Sequence, residues 1–205
     1  MFPARPKLQA GRAFSLIELL TVIALMGILI GMVIPALGVG DGKKFTAAVN
    51  DVATVLEQAR TSAMAMNTYV WVGIQPGQDS GTTGVALTAV ASLSGDADTS
   101  KSNLRTILPL RVRTGVAIDK NPAAAANAVN LAGGNLSFTQ SWRGADVTFD
   151  PALQFSPRGE VTVVDGTQSR WIQVALVAAK GDHQIANNKA AILVSGVTGQ
   201  VIVNR

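Results

Sequence analysis

The chain has 205 residues, 17 of them basic and 13 acidic, with a formal net charge of +4 and no cysteine. Disulfide bonds and thiolate metal sites are therefore excluded. Three of the basic residues, Arg5, Lys7 and Arg12, precede residue 14, which leaves 14 basic against 13 acidic residues in the remainder. A basic surface along the whole chain, as expected of a general nucleic-acid binder, is not indicated.

An apolar run extends from Phe14 to Leu37 and contains a single formal charge, Glu18. At ~1.5 Å per residue the run makes about 36 Å of helix, which exceeds the roughly 30 Å hydrocarbon core of a bilayer. The basic residues stand before the run, and the positive-inside rule keeps them in the cytoplasm. We therefore predict a transmembrane helix over residues 14–37, with the following chain exported.

Glu18 is costly in this setting, since a charge near the middle of a bilayer costs roughly 2.5–3.5 kcal/mol on insertion scales. It lies one helical turn after Phe14. A cut between Ala13 and Phe14 would create an α-amine beside this acid, and the amine of one subunit could neutralise Glu18 of its neighbour in a packed bundle. Alternatively, Glu18 is simply hydrated at the headgroup boundary.

Gly27 and Gly31 form a G-x-x-x-G pair in the same run, a spacing that permits close approach of membrane helices. Pro35 lacks an N–H, so the Gly31 carbonyl loses its usual donor. We predict a helix-packing surface at these three positions.

Residues 38–67 predict the amphipathic half of one long N-terminal helix. Residues 38–42 contain three glycines and are expected to form a flexible joint. Beyond them, apolar residues recur at steps of three and four, which indicates one buried face. The predicted stripe comprises Phe45, Val49, Val52, Val55, Leu56, Ala59, Ala63 and Met66, with Asp51, Glu57 and Arg60 off it. Asn67 is the expected end of this helix.

Residues 68–205 predict a β-rich head domain without a second transmembrane segment. Strands are expected at 69–74, 85–91, 106–118, 146–149, 160–164, 170–178, 190–194 and 200–203. Residues 92–103 and 121–135 have the composition of loops. The predicted fold class is α+β, with a long N-terminal helix packed against an antiparallel β-sheet head.

Few residues could support catalysis. The single histidine, His183, follows Asp182 in a turn-like segment, and adjacent residues rarely face one another. Asp79, Asp96 and Asp98 fall in expected loops, but no EF-hand spacing or nucleophile motif occurs. We predict neither an enzyme activity nor a cofactor or metal site.

The start of the chain resembles the type IV prepilin signature: a basic leader, a small residue, then Phe14-Ser-Leu-Ile-Glu18-Leu-Leu and a long apolar helix. The resemblance implies that residues 1–13 are a leader and that a prepilin peptidase cuts between Ala13 and Phe14 and N-methylates Phe14. It also implies that Glu18 guides docking into a filament. The family normally has glycine before the cut, and this chain has Ala13.

Three further segments resemble the H-type, or FimT-like, minor pseudopilins: Leu56-Glu-Gln-Ala-Arg60, Phe155-Ser-Pro-Arg-Gly159 and the closing hairpin around Gly199. This resemblance implies a pilin-like fold and a minor subunit of a type II secretion pseudopilus or type IV pilus. The protein would be single-pass in the inner membrane with a periplasmic head. The implied partners are other pilins or pseudopilins, the prepilin peptidase, the inner-membrane assembly platform and membrane lipid.

Two alternatives stay open from the sequence. Arg105, Arg111, Arg113 and Lys120 are candidate phosphate contacts, which suits a FimT-like minor pilin that binds DNA at a pilus tip. A plain membrane-anchored periplasmic domain explains the length of the apolar run, but it does not explain the placement of Phe14 and Glu18.

Overall fold

Two helices precede twelve strands in the computed structural model, which describes residues 15–33, 40–79, 81–119, 122–123, 125 and 127–204. The helices are α1 (Leu16–Val33) and α2 (Gly40–Met66). The strands are β1 (Val70–Asp79), β2 (Thr82–Ser92), β3 (Leu104–Thr114), β4 (Val116–Ile118), β5 (Ala128–Asn130), β6 (Phe138–Trp142), β7 (Ala145–Phe149), β8 (Ala152–Phe155), β9 (Val161–Thr162), β10 (Trp171–Lys180), β11 (His183–Ser195) and β12 (Val201–Asn204). The chain divides into two compact units, Met1–Val39 and Gly40–Arg205.

The start of α2 differs from the prediction. A joint was expected at residues 38–42, but the helix begins at Gly40 and includes Gly42; residues 38–39 lie outside the described part of the chain. Glycine in a helix costs about 1 kcal/mol relative to alanine. That cost is offset because the same helix buries Phe45 and Val49 within its next turns.

The end of α2 is where the sequence predicted it. Asn67 takes a φ of 49°, which asparagine tolerates better than most residues. Its N–H donates to the Met64 carbonyl, and the N–H of Thr68 donates to the Ala63 carbonyl at 3.1 Å. These two bonds form a Schellman motif, which satisfies carbonyls that the helix leaves open.

One face of α2 is buried in the main hydrophobic core. Its buried residues are Phe45, Ala48, Val49, Val52, Leu56, Ala59 and Ala63. The predicted stripe is confirmed at six of these positions. The seventh, Ala48, is buried but was not predicted. Val55 is only partly buried, and Met66 was wrongly included because it is 39% exposed. The same core takes Val72 from β1 and Val174 from β10, so strands of both large sheets pack on this helix.

The strands form two larger sheets and a separate hairpin. The first sheet has the order β3-β2-β1-β8-β9 and the second the order β12-β11-β10-β4, with neighbouring strands antiparallel. β5 pairs with β10 in the parallel sense, and β6 pairs with β7. The α+β class, with helix packed against antiparallel sheet, is confirmed.

The β6–β7 hairpin covers the face of the first sheet that is turned away from α2. Along β1, Val70, Val72 and Ile74 belong to the main core, whereas Trp71 belongs to a second cluster with Phe138 and Phe149. This division follows the alternation of side chains along a strand. The rings of Phe138 and Phe149 stack with their centroids 5.3 Å apart.

Several strand boundaries differ from the prediction. The expected strand 106–118 is interrupted at Gly115, whose φ is 82°. β5 lies inside the expected loop 121–135, and β6 and β8 were not predicted. β6 was missed because its polar residue Gln140 is buried: the Gln140 amide donates to the Thr88 hydroxyl at 3.0 Å, and this bond offsets the cost of burial.

Gly73 provides a test of the second cluster. A Cβ added there would overlap the Phe149 ring. Gly73→Ala should therefore destabilise the head by about 1–3 kcal/mol, the usual cost of overpacking. The measurement is thermal unfolding of the detergent-solubilised protein followed by circular dichroism.

Gly42→Ala is the matched control, because a Cβ at Gly42 meets no atom within 4 Å. It should leave stability unchanged or raise it by up to about 1 kcal/mol. Equal effects of the two variants would contradict the packing of Phe149 on Gly73.

Candidate functional site

α1 carries the residues predicted to direct assembly. Glu18 lies in its first turn and is the only ionisable residue among positions 15–29. All the large apolar side chains of that segment are exposed by 45–81%: Leu16, Ile17, Leu19, Leu20, Val22, Ile23, Leu25, Met26, Ile28 and Leu29. They occupy ten of the fourteen positions from 16 to 29 and so lie on every side of the helix. A helix that is apolar on every side needs an apolar environment.

The backbone of Glu18 is hydrogen-bonded within the first turns of α1. Its N–H donates to the Ser15 carbonyl at 3.0 Å, and its own carbonyl accepts from the Thr21 hydroxyl at 2.8 Å. A carboxylate in a first turn interacts favourably with the helix dipole, typically by 0.3–1 kcal/mol. For a helix in a bilayer, the environment predicted from the sequence, that gain is smaller than the roughly 2.5–3.5 kcal/mol cost of the charge, and the dipole alone would not account for the acid.

Of the other predicted assembly residues, the structure describes Gly27 and Gly31. Gly27 lies in α1, and a Cβ added to it would meet no atom within 4 Å; Gly31 also lies in α1. Ala13, Phe14 and Pro35 lie outside the described residues. Within the described part of the chain, no helix is both long enough and apolar enough to cross a membrane; the predicted span of residues 14–37 extends beyond that part at both ends.

The candidate nucleic-acid residues Arg105, Arg111 and Arg113 all lie on β3, an edge strand of the first sheet. Arg105 and Arg111 are six residues apart, or about 20 Å along a strand. The structure does not gather the three arginines into one patch, and Lys120 lies outside the described residues.

Arg113 is already paired. Its Nε lies 2.8 Å from Oδ2 of Asp51 on α2, and both side chains are about 40% exposed. Arg113, Asp51 and Arg111 are among the residues that line a cavity of about 110 Å³ between α2 and β3. Arg105 contacts the Met66 sulfur at 3.9 Å. Asp51 therefore neutralises one of the three cations.

The segments that resemble H-type pseudopilins meet around Arg60. This residue was predicted to lie off the buried stripe, but its Nε is buried and has no hydrogen-bond partner among the described residues. Cβ atoms added at Gly159 and Gly199 would lie within 3.4 Å of that nitrogen. The spacing from Leu56 to Arg60 to Ala63 follows the helical period, and this signal could have placed Arg60 beside the core, but the sequence analysis put it off the stripe.

The two glycine turns also touch one another. Gly159 and Gly199 have φ values of 82° and 66°, in the left-handed region that favours glycine. A Cβ on Gly199 would overlap the Gly159 carbonyl oxygen. One contact therefore joins the end of α2, the 155–159 turn and the closing hairpin. The positive φ angles favour glycine at both turns, and at Gly199 there is also no space for a Cβ.

Asp182 and His183 do not form the pair that a catalytic triad needs. The carboxylate of Asp182 accepts a hydrogen bond from the hydroxyl of Thr83 in the β1–β2 hairpin. His183 is exposed at the first position of β11. Among the described residues, no group of three or more histidine, aspartate or glutamate side chains could hold a metal ion.

Two exposed carboxylates have shifted titration. The hydroxyl and the amide of Ser100 both donate to Asp98 and hold its pKa below the usual value. The pKa of Asp146 is also lowered, first by the bond from the Lys101 ammonium at 2.6 Å and then by the Ser141 hydroxyl. The Asp98 bonds lie within the 92–103 loop, and the bond from Lys101 to Asp146 joins that loop to the β6–β7 hairpin.

Comparisons of this chain with protein-family models, with curated proteins and with solved structures find no match. The assignment of function below therefore depends on α1 and on the residues quoted above.

The contact around Arg60 gives a second test. Gly199→Ala should destabilise the head by more than about 2 kcal/mol, because it combines a strained backbone angle with overlap on Gly159. Chemical denaturation of the detergent-solubilised protein measures the loss.

Gly181→Ala is its control. Gly181 has a similar φ of 58°, but a Cβ there meets nothing within 4 Å. Gly181→Ala should lower the free energy of unfolding only by the cost of the strained backbone angle, on the order of 1 kcal/mol. If both variants lose the same stability, the close approach of the two turns is wrong.

Proposed function

We propose that this chain is a pilin-like subunit, of the minor pseudopilin type, of a type II secretion pseudopilus or a type IV pilus. The observation that carries the proposal is α1, whose large apolar side chains are exposed on all sides while Glu18 is its one acid near the start. Such a helix needs lipid or other apolar helices around it, and a filament subunit meets both: lipid in the membrane first, then the helices of other subunits in the filament core.

The proposed role of Glu18 follows from its cost. In the inner membrane the acid sits one turn from Phe14, within reach of the headgroup boundary. In the filament core it is buried, and it pairs with the N-methylated amine of Phe14 on a neighbouring subunit. Removing one partner of a buried ion pair typically costs 3–5 kcal/mol. An unpaired subunit would thus be rejected, and the pair selects correctly processed and correctly staggered subunits.

The second unit suits the exported part of such a subunit. Its core is built from α2 and both sheets, so none of the described core residues comes from α1. We infer that α1 is the part that moves from lipid into a helical bundle, while the second unit keeps a core of its own. The prepilin peptidase and the inner-membrane assembly platform act on the first unit, and the head faces the periplasm.

The two alternatives have less support. A DNA-binding minor pilin needs a basic surface, yet Arg113 is paired with Asp51 and Arg105 lies at the other end of β3. A plain anchor gives no reason for an acid one turn into the apolar helix. Incorporation into filaments separates the assembly role from the plain anchor, because an anchor does not require Glu18.

The test replaces Glu18 with alanine in the producing cell. The variant should enter the membrane and be processed as before, because the apolar run and the Ala13–Phe14 bond are unchanged. Its recovery in filaments sheared from cells, or in pseudopilus extended by overproduction of the major subunit, should fall more than tenfold. Quantitative mass spectrometry of membrane and filament fractions gives the ratio.

Glu18→Asp is the matched control, since it keeps the charge and should recover at least part of the incorporation. A Glu18→Ala subunit that enters filaments as well as the unaltered chain would overturn the proposed role of this carboxylate.

A further inference from the structure

Arg60 is a cation without a partner at the contact between α2 and the two glycine turns. The residue is only partly exposed, and its Nε is buried. Among the described residues, none forms an ion pair or a hydrogen bond with this side chain. A buried donor that lacks an acceptor is costly, and native structures leave few of them. The two terminal nitrogens of the guanidinium are not buried, so their four N–H groups reach the surface.

The glycine turns hold this side chain in place. A Cβ on Gly199 would lie 2.8 Å from Cδ of Arg60 and 3.1 Å from its Nε, so the backbone of the closing hairpin packs directly on the side chain. A Cβ on Gly159 would lie 3.4 Å from the same Nε. The guanidinium is therefore positioned before any partner arrives, and such preorganisation lowers the entropy cost of binding.

Exposed apolar residues flank the guanidinium. Met64 lies one turn after Arg60 on the same face of α2 and is 48% exposed, and its Sδ would lie 2.9 Å from a Cβ on Gly159. Val197 lies in the turn that leads to Gly199 and is 57% exposed. Arginine and methionine are enriched in protein interfaces, where apolar contacts around a central arginine exclude water. The surface around Arg60 has this composition.

We propose that Arg60 binds a carboxylate of a neighbouring pilin-like subunit, whose apolar side chains cover Met64 and Val197. The carboxylate accepts hydrogen bonds from the terminal N–H groups, in the bidentate manner that a planar guanidinium allows. This contact rests on the proposed function, which supplies the neighbouring subunit, and it adds an attachment made by the head to the one made by Glu18.

A protein neighbour suits this surface better than a small anion does. A free carboxylate or phosphate ion would pair with the guanidinium, but it would leave Met64 and Val197 in water. A protein brings the charge and the apolar cover together. Arg60 lies 20 residues after Gly40, or about 30 Å along α2, so the neighbour is met far from the start of this helix.

Zero-length cross-linking tests the ion pair directly. Full-length Arg60→Lys keeps the positive charge and places an amine near the position of the guanidinium. In native membranes, a water-soluble carbodiimide activates a carboxylate in contact with that amine. The amine attacks the activated carbonyl, an isopeptide bond forms, and the carbodiimide leaves as its urea.

We expect a product larger than the monomer on a denaturing gel. Mass spectrometry of the linked peptides should join the introduced lysine to an aspartate or glutamate of another pilin-like subunit. Because the two groups are held in contact, the yield should be about tenfold or more that of the control.

Arg158→Lys is that control, since Arg158 is an exposed arginine of the same 155–159 turn. Chance encounters would cross-link both variants alike. Equal yields from the two lysines would overturn the contact, and so would a cross-link from Arg60→Lys that stays within its own chain or reaches only proteins that are not pilin-like.

Arg60→Met separates an interface from a purely structural role. Methionine can fill the space beside the two glycine turns, and it removes the buried Nε. We expect the thermal unfolding midpoint of the detergent-solubilised protein to stay the same or rise. Recovery in filaments, measured as for Glu18→Ala, should fall more than about fivefold, whereas Arg158→Met should keep both values. A lowered midpoint with unchanged recovery would mean that Arg60 serves only the fold.

The filament assay also separates this contact from the proposed function. If the unaltered chain is absent from filaments, the proposed function fails and the contact of Arg60 fails with it. If the unaltered chain is incorporated and Arg60→Met is incorporated equally well, only the contact of Arg60 is overturned.

Discussion

Burial of one face of α2 is the interaction on which the head depends. Residues from Phe45 to Ala63 contribute a continuous apolar stripe, and strands of both larger sheets pack their inner residues on it. A fully buried aliphatic side chain contributes about 1.5–3 kcal/mol. Without the helix, each sheet would expose its inner face to water, so the two sheets are coupled through α2.

The same constraint explains the arrangement of motifs around Arg60. The stripe ends near Ala63, and the chain must turn there to begin β1. The Schellman motif at Asn67 makes that turn, while the glycine turns at 159 and 199 close over the adjacent side of the helix. The segment 56–60, the turn 155–159 and the hairpin at Gly199 are each unspecific as sequence motifs. Their contact around Arg60 gives the three a shared structural role.

α1 follows the opposite rule. Its apolar side chains are exposed by 45–81%, so its stability depends on what surrounds it. The second unit carries its own core, and none of the described core residues belongs to α1. Under the proposed function, lipid or the helices of other subunits surround α1, and Glu18 would make that packing selective, because a buried carboxylate needs a cation beside it.

The sequence predicted the elements that depend on periodic burial and missed those that depend on partners distant in the chain. The α2 stripe, the end at Asn67 and the long strands of the core were predictable because apolar spacing reports burial directly. β5 and β6 were not, since these segments of three and five residues form strands only beside β10 or over the first sheet. Met66 continued the apolar pattern but lies past the core, and the pairing of Arg113 with Asp51 joins residues whose proximity no local pattern reveals.

The proposed function requires that the chain is processed as a prepilin before it is assembled through its N-terminal helix. Mass spectrometry of the protein purified from its native membrane determines the mature N-terminus. We expect a chain that begins at N-methylated Phe14. An intact start at Met1 in cells with an active prepilin peptidase, or a start beyond Pro35, would contradict it.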